Sequence, residues 1–156
     1  GRIMEEQWGS KRFLLFYLLC GIGAGLMQEI CQYVHYWLVY SNYEVVAIGN
    51  GMTIPMMQYL DQILTVGASG AVYGILLGYG MTFPDNQLFI IPIPVPIKAK
   101  WLVIGYVVLE LGLGIRGSAA DNVAHFAHLG GMLTGFLILL YWKHRERKDN
   151  HIKFTW

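Results

Sequence analysis

Two residues of this sequence have side chains suited to activating a nucleophile, and both head the same kind of helical face. Ser69 stands in the run Gly67-Ala68-Ser69-Gly70-Ala71-Val72-Tyr73-Gly74, with Gly70, Gly74 and Gly78 recurring every four residues. A helix here carries a groove without side chains, against which another backbone can lie closely. Gly67 and Ala68 are small and permissive, as a turn needs where chain enters a helix and presents a hydroxyl together with its backbone N–H; both are expected to be non-helical. His128 stands in Ala127-His128-Leu129-Gly130-Gly131-Met132-Leu133-Thr134-Gly135, so Gly131 and Gly135 give it a smooth face of the same kind. A serine hydroxyl is a poor nucleophile until a base within hydrogen-bond reach takes its proton, and a neutral imidazole supplies that base. Tyr73 falls one turn below Ser69 on the same face, where its ring can stack on the imidazole; its plain alternative is core filling.

Taken singly these signals are modest. A serine in a membrane helix mostly bonds backbone, and small-residue steps occur in any tightly packed bundle. A histidine inside an apolar span is more telling, because ionisable groups are costly there. It is the combination that points to acyl transfer.

The elements that must bring these residues together follow from composition. The chain has 156 residues, of which 55% are apolar and only 13% charged, a balance foreign to soluble proteins. Apolar residues gather into nearly charge-free blocks at 13–28, 63–83, 101–109 and 123–142, as membrane spans of about 20 residues require. The expected fold is all-α, a polytopic membrane helix bundle with four transmembrane helices in a single domain. It reads as an inner link (1–12), a span (13–34), an outer loop (35–66), a span (67–83), an inner loop (84–100), spans at 101–115 and 121–142, and a basic inner tail (143–156).

Of the eleven Lys and Arg residues only Arg116 falls on the outer side of this layout, so both ends of the chain are expected in the cytoplasm of a bacterial inner membrane. Ser69 and His128 then lie at one level, each about 21 Å above the inner edge of a roughly 30 Å apolar layer. The Gly21-x-x-x-Gly25 step of the first span is a further packing face. Cys20 and Cys31 share that span and stand too far apart to bridge. The alternate prolines of Ile91-Pro92-Ile93-Pro94-Val95-Pro96 forbid a helix and suit an extended stretch, hairpin-like or lying on the membrane surface. A net charge of +1 with no basic patch interleaved with aromatics argues against a nucleic-acid partner.

Other ionisable residues are weaker candidates. Asp121 lies about 10 Å along the helix from His128, too far for a triad, and is better placed to cap the helix or meet His125. His125 and His128 with Asp121 offer no closed ligand set, so no metal is expected. Glu29 and Glu110 sit toward outer span ends, where snorkelling or interhelical bonding accounts for them.

Gly67-Ala68-Ser69-Gly70 and Ala127-His128-Leu129-Gly130-Gly131-Met132-Leu133-Thr134-Gly135 resemble the Gly-x-Ser-Gly and Ala-His-x-x-Gly-x-x-x-Gly motifs of the rhomboid intramembrane serine proteases. Trp8-Gly9-Ser10 resembles that family's link between its second and third helices. The resemblance implies a Ser–His dyad without an acid, Ser69 as nucleophile, His128 as general base and Tyr73 as the stacking aromatic. It implies no cofactor, transmembrane proteins as substrates, and lipid as surroundings. The family's His-x-x-x-Asn oxyanion motif occurs nowhere in the chain, and Gly1 aligns with the inner end of the family's second helix, so truncation of a longer protein is expected. The rival readings are a non-catalytic rhomboid-like protein that binds membrane helices, and a transporter or channel.

Overall fold

The computed structural model describes residues 1–40, 45–49, 51–55, 68–90, 93–116 and 119–149. The polar lead-in is itself helical. Helix α1 (Arg2–Trp8) buries Met4 and Trp8 and stops at Gly9, whose φ of 83° turns the chain into α2 (Ser10–His35). That left-handed conformation is one that glycine adopts without strain. One π-helical turn, Tyr36–Tyr40, extends α2. The segment expected to be outer loop then holds a two-stranded antiparallel hairpin, β1 (Val45–Gly49) with β2 (Met52–Pro55). Gly51, at φ 74°, supplies the turn.

Helix α3 (Ala68–Thr82) includes Ala68, so that residue is helical, contrary to expectation. Gly67, offered as part of the turn into the helix, lies outside the described residues. Pro84 ends the helix, and a second antiparallel hairpin follows, β3 (Gln87–Ile90) with β4 (Ile93–Lys98). Residues 93–96 are thus extended, as the prolines require. The two prolines in β4 are tolerated because a two-stranded sheet leaves one edge of each strand unpaired. Lys100 and Lys98 both reach Asp85, at 2.8 and 3.1 Å, and hold its exposed carboxyl below the usual carboxylate range. Helix α4 (Ala99–Arg116) and helix α5 (Ala119–Asp149) complete the chain. α5 runs past Trp142 because the Lys, Arg and Glu of the basic tail are good helix formers and no Gly or Pro intervenes before Asp149.

The helices pack on small residues. On α2 the buried stripe is Phe16, Cys20, Ala24 and Gln28, at four-residue spacing. Gly78, Gly74 and Gly70 of α3 face Phe16, Cys20 and Ala24 in turn, so the two helices run antiparallel. The expected Gly21-x-x-x-Gly25 face is used only in part: Gly21 meets Ala71, while nothing lies within 4 Å of a Cβ at Gly25. At one end Trp8, Phe16 and Trp142 form a ring cluster, and Arg12 lies over Trp142 while its guanidinium donates to Glu146 at 2.9 Å.

The outer surface is apolar where a soluble protein would be polar. Leu14, Leu18, Ile22 and Leu26 of α2 and Val108 of α4 are exposed, as is Leu137 of α5. Two stretches, Ser10–Leu38 and Val123–Glu146, are long and apolar enough to cross a membrane. Among the described residues two such spans stand where four were expected. The described part of α3 has 15 residues, about 22 Å of helix, and α4 carries Lys100, Glu110 and Arg116 within 18 residues. The build is that of a mostly helical integral membrane protein.

Candidate active site

Helices α3 and α5 run parallel and touch backbone to backbone. A Cβ at Gly131 would strike the Gly70 carbonyl, one at Gly74 would stand 3.1 Å from the Gly131 oxygen, and one at Gly135 would stand 3.4 Å from the Gly74 oxygen. Helices this close bring the residues at their matching positions into contact. Accordingly Ser69 Oγ lies 3.1 Å from His128 Nε2. The Tyr73 ring stacks on the His128 imidazole with centroids 4.1 Å apart and planes 13° from parallel. Tyr106 meets the other side of this group, edge-on to Tyr73 at 6.0 Å. Gly78, the third glycine of the four-residue series, faces Trp8 and Phe16.

A residue that sequence reasoning left aside joins the pair. Glu110 of α4 is 2% exposed, and its Oε2 lies 3.1 Å from His128 Nδ1 and 2.6 Å from His125 Nδ1. Of the two roles open to Glu110, interhelical bonding is the one taken and snorkelling is not; Glu29 by contrast is exposed. His125 meets Glu110; the side chain of Asp121, its expected partner, lies outside the described part. The signal for Glu110 was available in α4, where Ala99, Val103, Glu110 and Gly114 are the buried residues and share one face.

Among the described residues Glu110, His125 and His128 place three potential ligand atoms within 4.8 Å of one another, a set that the sequence reading did not assemble. Glu110 joins the two histidines because antiparallel packing of α4 brings it level with both imidazoles. A cation bound through His128 Nδ1 would leave the proton on Nε2 and deprive Ser69 of its base. Two apolar cavities flank the bundle. The one of about 600 Å³ touches Phe126 and Leu129, beside His128 in sequence, and the one of about 300 Å³ touches Cys31 and His35; neither is lined by Ser69 or His128.

Fold and site define an integral membrane helix bundle with a hydroxyl, an imidazole and a carboxylate joined in its interior. The rhomboid-domain family model matches residues 1–145, and the chain belongs to the rhomboid family. It is 29% identical over 135 residues to RHOMBOID-like protein 4 of Arabidopsis thaliana, an alignment covering 86% of this chain and 25% of that protein. Identity to RHOMBOID-like protein 2 is 24% over 86% of this chain and 32% of the relative; to the chloroplastic Rhomboid-like protein 11 it is 28% over 91% and 42%. The chain thus spans a quarter to two-fifths of the length of these relatives. All three are plant proteins and lend the expected bacterial inner membrane no support. No solved structure matches the chain.

Proposed function

We propose that the protein is an intramembrane serine endopeptidase that cleaves transmembrane proteins near the outer membrane face through Ser69 and His128. The observation that carries this reading is the 3.1 Å contact between Ser69 Oγ and His128 Nε2, held by glycine-lined helices inside an apolar bundle. His128 Nε2 takes the Ser69 proton as Oγ attacks the scissile carbonyl, and passes it to the leaving amine; water then hydrolyses the acyl-enzyme with His128 again as base. The backbone N–H of Ser69 supplies one oxyanion donor, and its loss or absence would cost on the order of 10²–10³ in rate. Substrate helices must unwind locally, since helical backbone is bonded internally and shielded, so small or helix-breaking residues near the cut are favoured.

In this reading residues 1–156 belong to one rhomboid-like membrane domain, α2 to α5 all cross the bilayer, and both ends lie on the inner side. Tyr73 orients the base, Gly70 shapes the nucleophile's surroundings together with Gly67, and Gly74, Gly131 and Gly135 hold the helices at contact distance. Cleavage of a single-span substrate by the full-length protein in proteoliposomes tests it. Product mass spectra are expected to map the cut to the outer end of the substrate helix, with none for Ser69→Ala. Substrate that binds but stays intact would contradict proteolysis and favour the non-catalytic helix binder.

A further inference from the structure

We infer that Glu110 is a positioning residue for His128, holding the imidazole in the one tautomer that can act as a base toward Ser69. The inference rests on the Ser69–His128 reading above but adds a group that the Ser–His pair does not need by itself. An imidazole offers a base only at its unprotonated nitrogen, and a neutral ring carries its proton on one nitrogen or the other. Here the two nitrogens face different partners. Nε2 faces Ser69 Oγ and Nδ1 faces Glu110 Oε2, each at 3.1 Å. An ionised carboxylate only accepts hydrogen bonds. The proton therefore sits on Nδ1, and the Nε2 lone pair is left toward the hydroxyl.

The rest of the cluster fixes the carboxylate. His125 donates to the same oxygen at 2.6 Å from one turn away on α5. A carboxylate 2% exposed in an apolar bundle needs such donors, because an unpaired charge there is costly. The Tyr73 ring, stacked on His128, sets the plane of the imidazole, while the carboxylate sets its rotation. When Nε2 takes the Ser69 proton, the positive charge that develops on His128 lies beside Glu110, in a setting where water screens little. The proton moves from Ser69 Oγ to His128 Nε2 and on to the leaving amine. Glu110 stays ionised throughout and touches no reacting atom.

Two plainer accounts of the cluster make different predictions. If Glu110 only ties α4 and α5 together, its loss lowers stability without changing the tautomer. If the cluster holds a divalent cation, His128 Nδ1 is a ligand and Nε2 carries the proton.

The full-length protein, labelled with 15N at histidine and held in lipid bilayers, separates these by NMR, with the His128 signals assigned by His128→Gln. The proton of His128 is expected on Nδ1, with no change on adding a chelator. In Glu110→Gln this preference is expected to weaken and kcat to fall by about 10²- to 10⁴-fold, the upper figure being the loss for an amide in place of the acid of a Ser-His-Asp site. KM should change by less than about threefold, and Glu110→Asp should recover part of the loss. A proton on Nε2 in the unmodified protein would overturn the inference even if Glu110→Gln did not fold. Turnover by folded Glu110→Gln within about threefold of wild type, or a chelator-dependent shift of the His128 signals, would overturn it as well. The Nδ1 tautomer in a protein that cleaves nothing would support the positioning and count against proteolysis alone.

Discussion

Replacing His128 by alanine is expected to slow substrate hydrolysis by at least about 10⁴-fold while leaving KM within a few-fold of wild type, the pattern of an interaction made only in the transition state. The ring is the group that the structure sets against Ser69 Oγ, at 3.1 Å. Without it the hydroxyl has no base there, and Glu110 loses one of its two imidazole partners without gaining a route to the serine. A histidine that merely filled space would behave differently: kcat would hold in the protein that remained folded, and the loss would fall on stability. Steady-state kinetics beside thermal unfolding in detergent distinguishes the two. Activity per folded molecule within tenfold of wild type would remove His128 from the mechanism.

Gly131→Ala is expected to disable the enzyme from outside its chemistry. The added methyl would strike the Gly70 carbonyl, with the carbonyl carbon at 2.6 Å and Cα at 3.1 Å. These are backbone atoms on both sides, so no side chain can swing away and the helices must part. Overpacking of this kind costs about 1–3 kcal/mol, and the rigidity of the contact argues for the upper end. A shift of even 1 Å between α3 and α5 would stretch the Ser69–His128 bond beyond hydrogen-bond range, and misplacements of that size can cost about 10²-fold in rate. Gly25→Ala is the natural control, because nothing lies within 4 Å of its added methyl. It should leave activity intact and stabilise the helix by up to about 1 kcal/mol. Equal effects of the two substitutions on melting temperature and turnover would contradict the packing argument.

The pair at the centre was legible because its residues lie on regular helices with small residues every four positions. Such spacing reports a shared face, and in a bundle it also reports which faces touch. Ser69, Tyr73, Gly74 and His128, Gly131, Gly135 were therefore readable as two halves of one contact. Glu110 was not paired with His128, because its partnership depends on how α4 is turned and on the level at which it docks against α5, neither of which local spacing encodes. Its stripe with Val103 and Gly114 held half of the answer: a carboxylate on a face with small and apolar residues points inward and must find donors there.

The hairpin at 45–55 was missed for another reason. The high aromatic content of 35–62 drew the reading toward a membrane-surface loop, although Asn50-Gly51 between apolar, β-branched runs is a strong hairpin signal. Helix ends were misplaced where charged residues looked like a tail, since Lys, Arg and Glu extend a helix as readily as they solvate a loop.

The central claim is that Ser69 is a nucleophile activated inside the membrane bundle. It is tested most directly by treating the full-length protein in lipid with a fluorophosphonate and locating the adduct by peptide mass spectrometry. The account predicts a single phosphonylated residue, Ser69, with labelling lost in Ser69→Ala and strongly slowed in His128→Ala. A folded protein whose Ser69 stays unmodified, or a label that survives Ser69→Ala, would contradict it.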